Sequence, residues 1–206
     1  MKKTFTFILM ILSFFVLASA KNFTITIHGN YFSTSDSNLA DNFGKKKYFP
    51  EGKVSLRIAG NFFLWSSYGA FSKNKSWPEW SNKVIEEADI EVEDIFKKNI
   101  ISCGLGYHIG YIEKDEFSVK VEIGACKITN DQETTARGVA GGNVLTSEKK
   151  KESGLGVRGN MAITYGIYKS FFTEISVGYL YATDKVAGTT VKLGGMMISL
   201  GLGFRF

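Results

Sequence analysis

The sequence predicts an all-β fold, an eight-stranded antiparallel up-and-down transmembrane β-barrel. Three observations predict it. Eight segments alternate apolar and polar residues, while no segment after the N-terminus has the eighteen or so consecutive apolar residues of a membrane helix. The connections between the segments alternate long and short, so in an up-and-down sheet all the long ones lie at one end. The face opposite the apolar one carries Arg57, Lys120, Glu122, Arg158, Glu174, Arg205 and both histidines. A soluble barrel is apolar inside and polar outside; this pattern is the reverse.

Residues 1–20 read as an export signal rather than as part of the fold. Lys2 and Lys3 precede an apolar run from Phe5 to Leu17, and Ala18-Ser19-Ala20 supplies the small residues of a cleavage site. Residues 21–206 then form one domain. The formal net charge is +5, of which Lys2 and Lys3 supply two. That charge is too mild for a nucleic-acid binder, and no basic patch is interleaved with stacking aromatics.

The strands follow in order. Asn22–Ser33 sets Phe23, Ile25, Ile27, Gly29 and Tyr31 against Asn22, Thr24, Thr26, His28 and Asn30. A polar connection over Ser35–Gly52 leads to Lys53–Gly60, where Val54, Leu56 and Ile58 oppose Lys53, Ser55 and Arg57. Its start before Lys53 stays open. Gly60-Asn61 is a tight-turn signal. The facing of Phe62–Lys73 is ambiguous, because Phe63, Trp65 and Phe71 compete with Leu64 and Tyr68. Within 74–98, Ile85, Ala88, Val92 and Ile95 recur at helical spacing while Ile90 and Val92 alternate with acids, so helix and strand both stay open.

Asn99–Ile112 sets Ile101, Cys103, Leu105, Tyr107 and Ile109 against Ser102, Gly104, Gly106 and His108. Phe117–Ile128 alternates Val119, Val121 and Ile123 with Lys120, Glu122 and Gly124. Thr129–Glu152 reads as a long polar connection. Ser153–Gly166 and Phe171–Thr183 continue the alternation. In the closing strand Met196, Ile198, Leu200, Leu202, Phe204 and Phe206 share one face. Aromatic residues gather at the strand ends, with Phe62, Phe63, Trp65, Phe117, Tyr165, Tyr168, Phe171 and Phe172 at the short-turn rim and Tyr31, Phe71, Tyr179 and Tyr181 at the other. Such girdles suit a membrane interface.

The Ala18-Ser19-Ala20 signal end, the eight alternating segments and the terminal Gly-Leu-Gly-Phe-Arg-Phe together resemble the small outer-membrane β-barrel proteins. That grouping includes the OmpA membrane domain, OmpW and opacity-type porin-like proteins. The likeness spans the mature chain and is architectural. It implies a bacterial outer-membrane location, contact with outer-membrane lipid and lipopolysaccharide, and a monomer. It also implies recognition of Leu200, Leu202, Phe204 and Phe206 by the barrel assembly machinery.

The sharpest functional feature is a candidate lumen charge layer of Arg57, Lys120, Glu122, Glu174, His28 and His108 at similar height. Its expected role is to fill the narrow interior of an eight-stranded barrel with paired charges. The alternative is a charged constriction for small solutes, and a secreted soluble barrel or sandwich that binds a ligand is a second alternative. No catalytic, metal or cofactor site is expected: no nucleophile stands at motif spacing beside a histidine, and the histidines and cysteines lack zinc-like spacing. The acidic stretch Glu86–Asp94 lacks the spacing of a calcium loop. Cys103 and Cys126 lie near each other along neighbouring strands but on opposite faces, which opposes a disulfide. The expected role is non-enzymatic, in envelope structure or surface interaction through long extracellular loops.

Overall fold

The computed structural model describes residues 23–35, 46–79, 90–109, 117–138, 144–186 and 189–206. The export signal read over 1–20 lies outside these residues, as do residues 86–89 of the acidic stretch Glu86–Asp94. The strands are β1 (Phe23–Thr34), β2 (Lys46–Ala59), β3 (Phe62–Glu79), β4 (Ile90–Ile109), β5 (Phe117–Gly138), β6 (Val144–Tyr168), β7 (Phe171–Val186), β8 (Thr189–Lys192) and β9 (Gly195–Arg205). Each pairs antiparallel with its neighbours, β1 pairs with β9, and β6 pairs with β7, so the sheet closes on itself. β8 and β9 pair with β7 in one continuous register, from Val186↔Thr189 down to Phe171↔Phe204. They are two parts of one closing strand, interrupted at Leu193 and Gly194. The ring is therefore an eight-stranded up-and-down barrel.

Its stagger can be read from the register. From Phe23 the paired residues run Leu56, Leu64, Leu105, Ile123, Gly159, Tyr179 and Met196, and return to β1 at Ser33, ten residues beyond the start. With eight strands this stagger tilts them by about 41° and gives a backbone diameter of roughly 16 Å. An interior that narrow is filled by side chains.

The outer face is apolar. Leu155 is 77% exposed, Leu202 67% and Ile27 66%, and Leu105, Met161 and Ile175 follow the same pattern. On β6 the band from Leu155 to Tyr165 spans about 25 Å along the axis, the height of a bilayer's apolar layer. No helix among the described residues is long and apolar enough to cross a membrane, which says nothing of crossing by strands.

The structure resolves the ambiguous third strand. Phe63 and Trp65 are buried inside, whereas Leu64 and Tyr68 face out. Phe63, Trp65 and Phe172 therefore leave the short-turn girdle, and Phe71 leaves the opposite one to pack inside the barrel. Phe62, Tyr107, Phe117, Tyr165, Tyr168 and Phe171 remain outside at the short-turn rim, with Tyr31, Tyr48, Tyr68, Tyr179 and Tyr181 toward the other.

Two stretches read as polar connections are sheet instead. Residues 129–138 and 144–152 extend β5 and β6; of the segment left open between helix and strand, 74–79 belongs to β3 and 90–98 to β4, while Ile85 and Ala88 lie outside the described residues. β2–β3 pairing ends at Glu51↔Gly69 and β6–β7 pairing at Leu155↔Thr183, yet β3, β4, β5 and β6 stay paired up to Glu79↔Ile90 and Arg137↔Val144. A four-stranded sheet thus protrudes from the long-connection end. Outside a bilayer a strand needs backbone pairing but no apolar face. Here cross-strand charges such as Glu133–Lys149 and Asp131–Lys151 take the place of hydrophobic alternation.

Candidate functional site in the barrel interior

Alternation along each strand aims every second side chain into the lumen, and the stagger brings polar ones to a common height. Lys53 on β2 is the centre of one group. Its Nζ donates to Glu122 Oε1 on β5 at 2.9 Å and to Glu174 Oε1 on β7 at 2.7 Å. Lys120 Nζ lies 2.5 Å from Glu174 Oε2 and 3.6 Å from Glu122 Oε1. His28 Nε2 on β1 lies 3.2 Å from Glu174 Oε1. Four strands are tied across the lumen through two carboxylates.

A second group centres on Arg158. Arg158 on β6 meets Glu51 on β2 in a forked contact, Nη1 to Oε1 at 2.6 Å and Nη2 to Oε2 at 3.3 Å. Arg158 also donates to Ser67 Oγ at 3.0 Å, and its guanidinium lies 5.5 Å from the Trp65 ring centre. Asn30 donates to Glu51 at 3.0 Å and accepts from Ser199. Asn160 donates to Glu122 at 3.2 Å and so belongs to the first group. Lys53, Lys120 and Arg158 balance Glu51, Glu122 and Glu174, all buried. Such burial is tolerated only where charges are paired and their remaining hydrogen-bonding capacity is largely met.

Toward the long-connection end the interior turns apolar. Phe32, Phe49, Ile100, Ile128, Leu180 and Met197 form a buried cluster, with Phe71 packed against it. Phe49 and Phe71 are 5.5 Å apart between ring centres. Lys98 enters this layer, its Nζ donating to the Leu193 carbonyl at 2.7 Å and lying 4.9 Å from the Phe32 ring centre. The break between β8 and β9 turns that carbonyl to Lys98. Toward the short turns, the Phe63 ring covers Gly106 and the Phe172 ring covers Gly203, where a Cβ would fall 2.1 Å from each ring.

Of the six residues read as a lumen layer, Lys120, Glu122, Glu174 and His28 come together. Arg57 sits lower, its Nε donating to the Gly60 carbonyl in the β2–β3 turn at 2.5 Å. His108 stacks on Phe63 at 4.8 Å, below the carboxylates. Lys53, Arg158 and Glu51 belong to the network without having been in that set. Lys53 and Arg158 were legible on the polar face. Glu51 was hidden because Pro50 and Gly52 read as a connection; carrying the alternation back through Lys47, Phe49 and Glu51 would have found it. The inward apolar layer left no signal, since Phe32, Phe49 and Phe71 look like rim aromatics in one dimension.

Leu200 and Leu202 face outward on β9, and Phe206 closes the short-turn rim, its N–H donating to the Phe23 carbonyl at 2.9 Å. The Phe206 ring lies 4.7 Å from Phe204 and 5.9 Å from Phe23. Cys103 is exposed, Cys126 is buried and both are free. Their neighbours across the β4–β5 ladder are Ala125 and Ser102, which sets the thiols on opposite faces. No group of three or more metal-ligating side chains occurs among the described residues.

No protein-family model matches the chain, and no curated protein matches it in sequence. Solved structures match in fold. The outer-membrane protein OprG of Pseudomonas aeruginosa is similar with a TM-score of 0.56 and 12% identity, over 90% of this chain and 96% of that one. A major outer-membrane protein of Thermus thermophilus gives 0.52 at 9% identity, over 90% and 98%. The N-terminal β-barrel domain of Pseudomonas aeruginosa OprF gives 0.50 at 17% identity, over 90% and 98%. The fold is that of the small outer-membrane β-barrels, as the resemblance in sequence pattern implied.

Proposed function

We propose that this chain is a monomeric, non-enzymatic barrel of a bacterial outer membrane that acts through the sheet it raises above the bilayer. In this reading residues 1–20 are a cleaved export signal and residues 21–206 the barrel domain. Leu200, Leu202, Phe204 and Phe206 serve as the assembly signal. The carrying observation is that the interior is occupied at two heights, by the balanced charge layer around Lys53 and by the apolar layer around Phe32. Passage of a solute would require both to move. The protrusion carries β3 to β6 beyond the last β2–β3 pair at Glu51↔Gly69 and the last β6–β7 pair at Leu155↔Thr183, an arrangement suited to surface contact.

Two experiments test this reading. Reconstituted in planar bilayers, the protein is expected to give no stable conductance; steady channels would establish the porin-like alternative instead. A cysteine at exposed Thr146, in a Cys103→Ala/Cys126→Ala background, is expected to react with a membrane-impermeant maleimide on intact cells. Labelling that requires lysis would overturn the proposed location and orientation together.

A further inference from the structure

The outer face of the barrel is not uniformly studded. On the β1–β2 ladder, Ile27 is paired with Gly52 and Gly29 with Pro50, so each of two successive outward rungs lacks one side chain. A Cβ on Gly29 would meet only the Leu200 carbonyl, at 3.9 Å, and one on Gly52 would meet nothing within 4 Å. The result is a groove of about 740 Å³ that runs from Tyr48 and Pro50 across Gly29 to Ile198, Leu200 and Ile175. Its lining is overwhelmingly apolar.

The location of the groove restricts what can fill it. Gly29 pairs with Leu200, which lies six residues above the C-terminal Phe206. At this tilt that is about 15 Å up a band of about 25 Å, in the half nearer the long connections. Water is absent at that depth, so the groove meets hydrocarbon chains. Its upper lip is the Tyr31–Tyr48 pair, edge to face with ring centres 5.2 Å apart. One step above, exposed Lys46 holds its Nζ 5.8 Å from the Tyr31 ring centre. No described outward-facing residue of β1, β2, β7 or β9 is acidic. A cation therefore stands at headgroup height directly over an apolar slot.

We infer that this groove is a lipid site that seats one acyl chain of a phosphorylated outer-leaflet lipid, lipid A by its chemistry, with Lys46 on the phosphate. The chain fills the slot over Gly29 and Pro50, and the tyrosine pair packs against its upper methylenes. Assignment to the outer leaflet rests on the orientation proposed above. The binding assay does not, because it is done in micelles.

The purified full-length protein in detergent micelles is titrated with lipid A, dephosphorylated lipid A and phosphatidylcholine, and the retained lipid is counted by native mass spectrometry. The wild type is expected to retain a single lipid A preferentially. Filling the groove through the series Gly29→Ala, Gly29→Val and Gly29→Leu is expected to lower retention progressively, to about tenfold for leucine. Each variant's folded state is checked by the change in gel mobility on boiling, and alanine at 3.9 Å from its nearest neighbour folds without strain. Gly159→Leu is the control. Gly159 also has open space outside but lies on β6, away from the groove, and its variant is expected to retain lipid A as the wild type does. Lys46→Gln is expected to bring lipid A down to the level of its dephosphorylated form. Equal retention by wild type and Gly29→Leu overturns the site, as does an equal loss in Gly159→Leu. Equal retention of dephosphorylated lipid A and lipid A by the wild type overturns the phosphate assignment, and equal retention of phosphatidylcholine overturns the assignment to lipid A.

Discussion

Glu174→Gln is the most direct test of whether the interior charges form one network. The glutamate is 0% exposed and accepts from Lys53 at 2.7 Å while lying 2.5 Å from Lys120 and 3.2 Å from His28. Glutamine keeps the volume, so no cavity contributes to the effect. What changes is charge: Glu122 becomes the nearest carboxylate to two buried lysines, at 2.9 and 3.6 Å, and the layer gains one uncompensated positive charge. Removing one partner of a buried pair costs about 3–5 kcal/mol, and the remaining contact with Glu122 places the expectation near the lower limit. Lys120→Met alone unbalances the layer the other way, and the double variant restores neutrality. The double variant is therefore expected to lose less than the sum of the single changes, by about 1–3 kcal/mol. Urea unfolding from phospholipid vesicles measures this, followed by gel mobility of unboiled samples and by the fluorescence of Trp65, which lies against Arg158. A Glu174→Gln protein within about 0.5 kcal/mol of the wild type would refute the reasoning. So would strictly additive single variants, since the charges would then be separately hydrated.

The remaining predictions use the same unfolding assay or its cellular counterpart. Gly106→Ala places a Cβ 2.1 Å from the Phe63 ring and is expected to cost about 1–3 kcal/mol, with recovery when Phe63→Leu is added; no recovery would show that the ring is not what occupies the space. Deleting Phe206 is expected to reduce the folded fraction in cells severalfold while purified protein still refolds in detergent, because the remaining barrel pairing does not involve it. A refolding defect of equal size would make Phe206 a packing residue and not an assembly signal. Phe32→Ala is expected to destabilise by about 3–5 kcal/mol without opening a conductance, since the charge layer below still closes the lumen.

How much was legible in one dimension differs sharply between the two faces of the sheet. The lipid face was readable strand by strand, because every outward residue meets the same surroundings and the period of two is a local property; Leu105, Ile123, Met161 and Leu202 needed no partner to be placed. The lumen face was readable only as polar. Lys120, Glu122 and Glu174 were found because charge stands out among glycines and serines, but Lys53 and Glu51 gain their meaning from strands 69 and 107 residues away. Strand ends were the least legible. Beyond the bilayer the apolar face disappears, so the paired segments 129–138 and 144–152 looked like connections.

The sequence by itself determined the class of this protein: eight alternating segments, apolar outward, closed by a strand that ends on Phe206. These follow from side-chain alternation and from the requirement that backbone groups in hydrocarbon pair within a closed sheet. Only the tertiary structure decided which charges meet, that Phe32, Phe49 and Phe71 fill the lumen above them, that β3 to β6 rise as one sheet, and that Gly29 and Pro50 leave a groove between tyrosines and leucines. All four depend on the ten-residue stagger around the ring. That stagger sets the height at which each side chain arrives, and a chain read in order carries no measure of height between its strands.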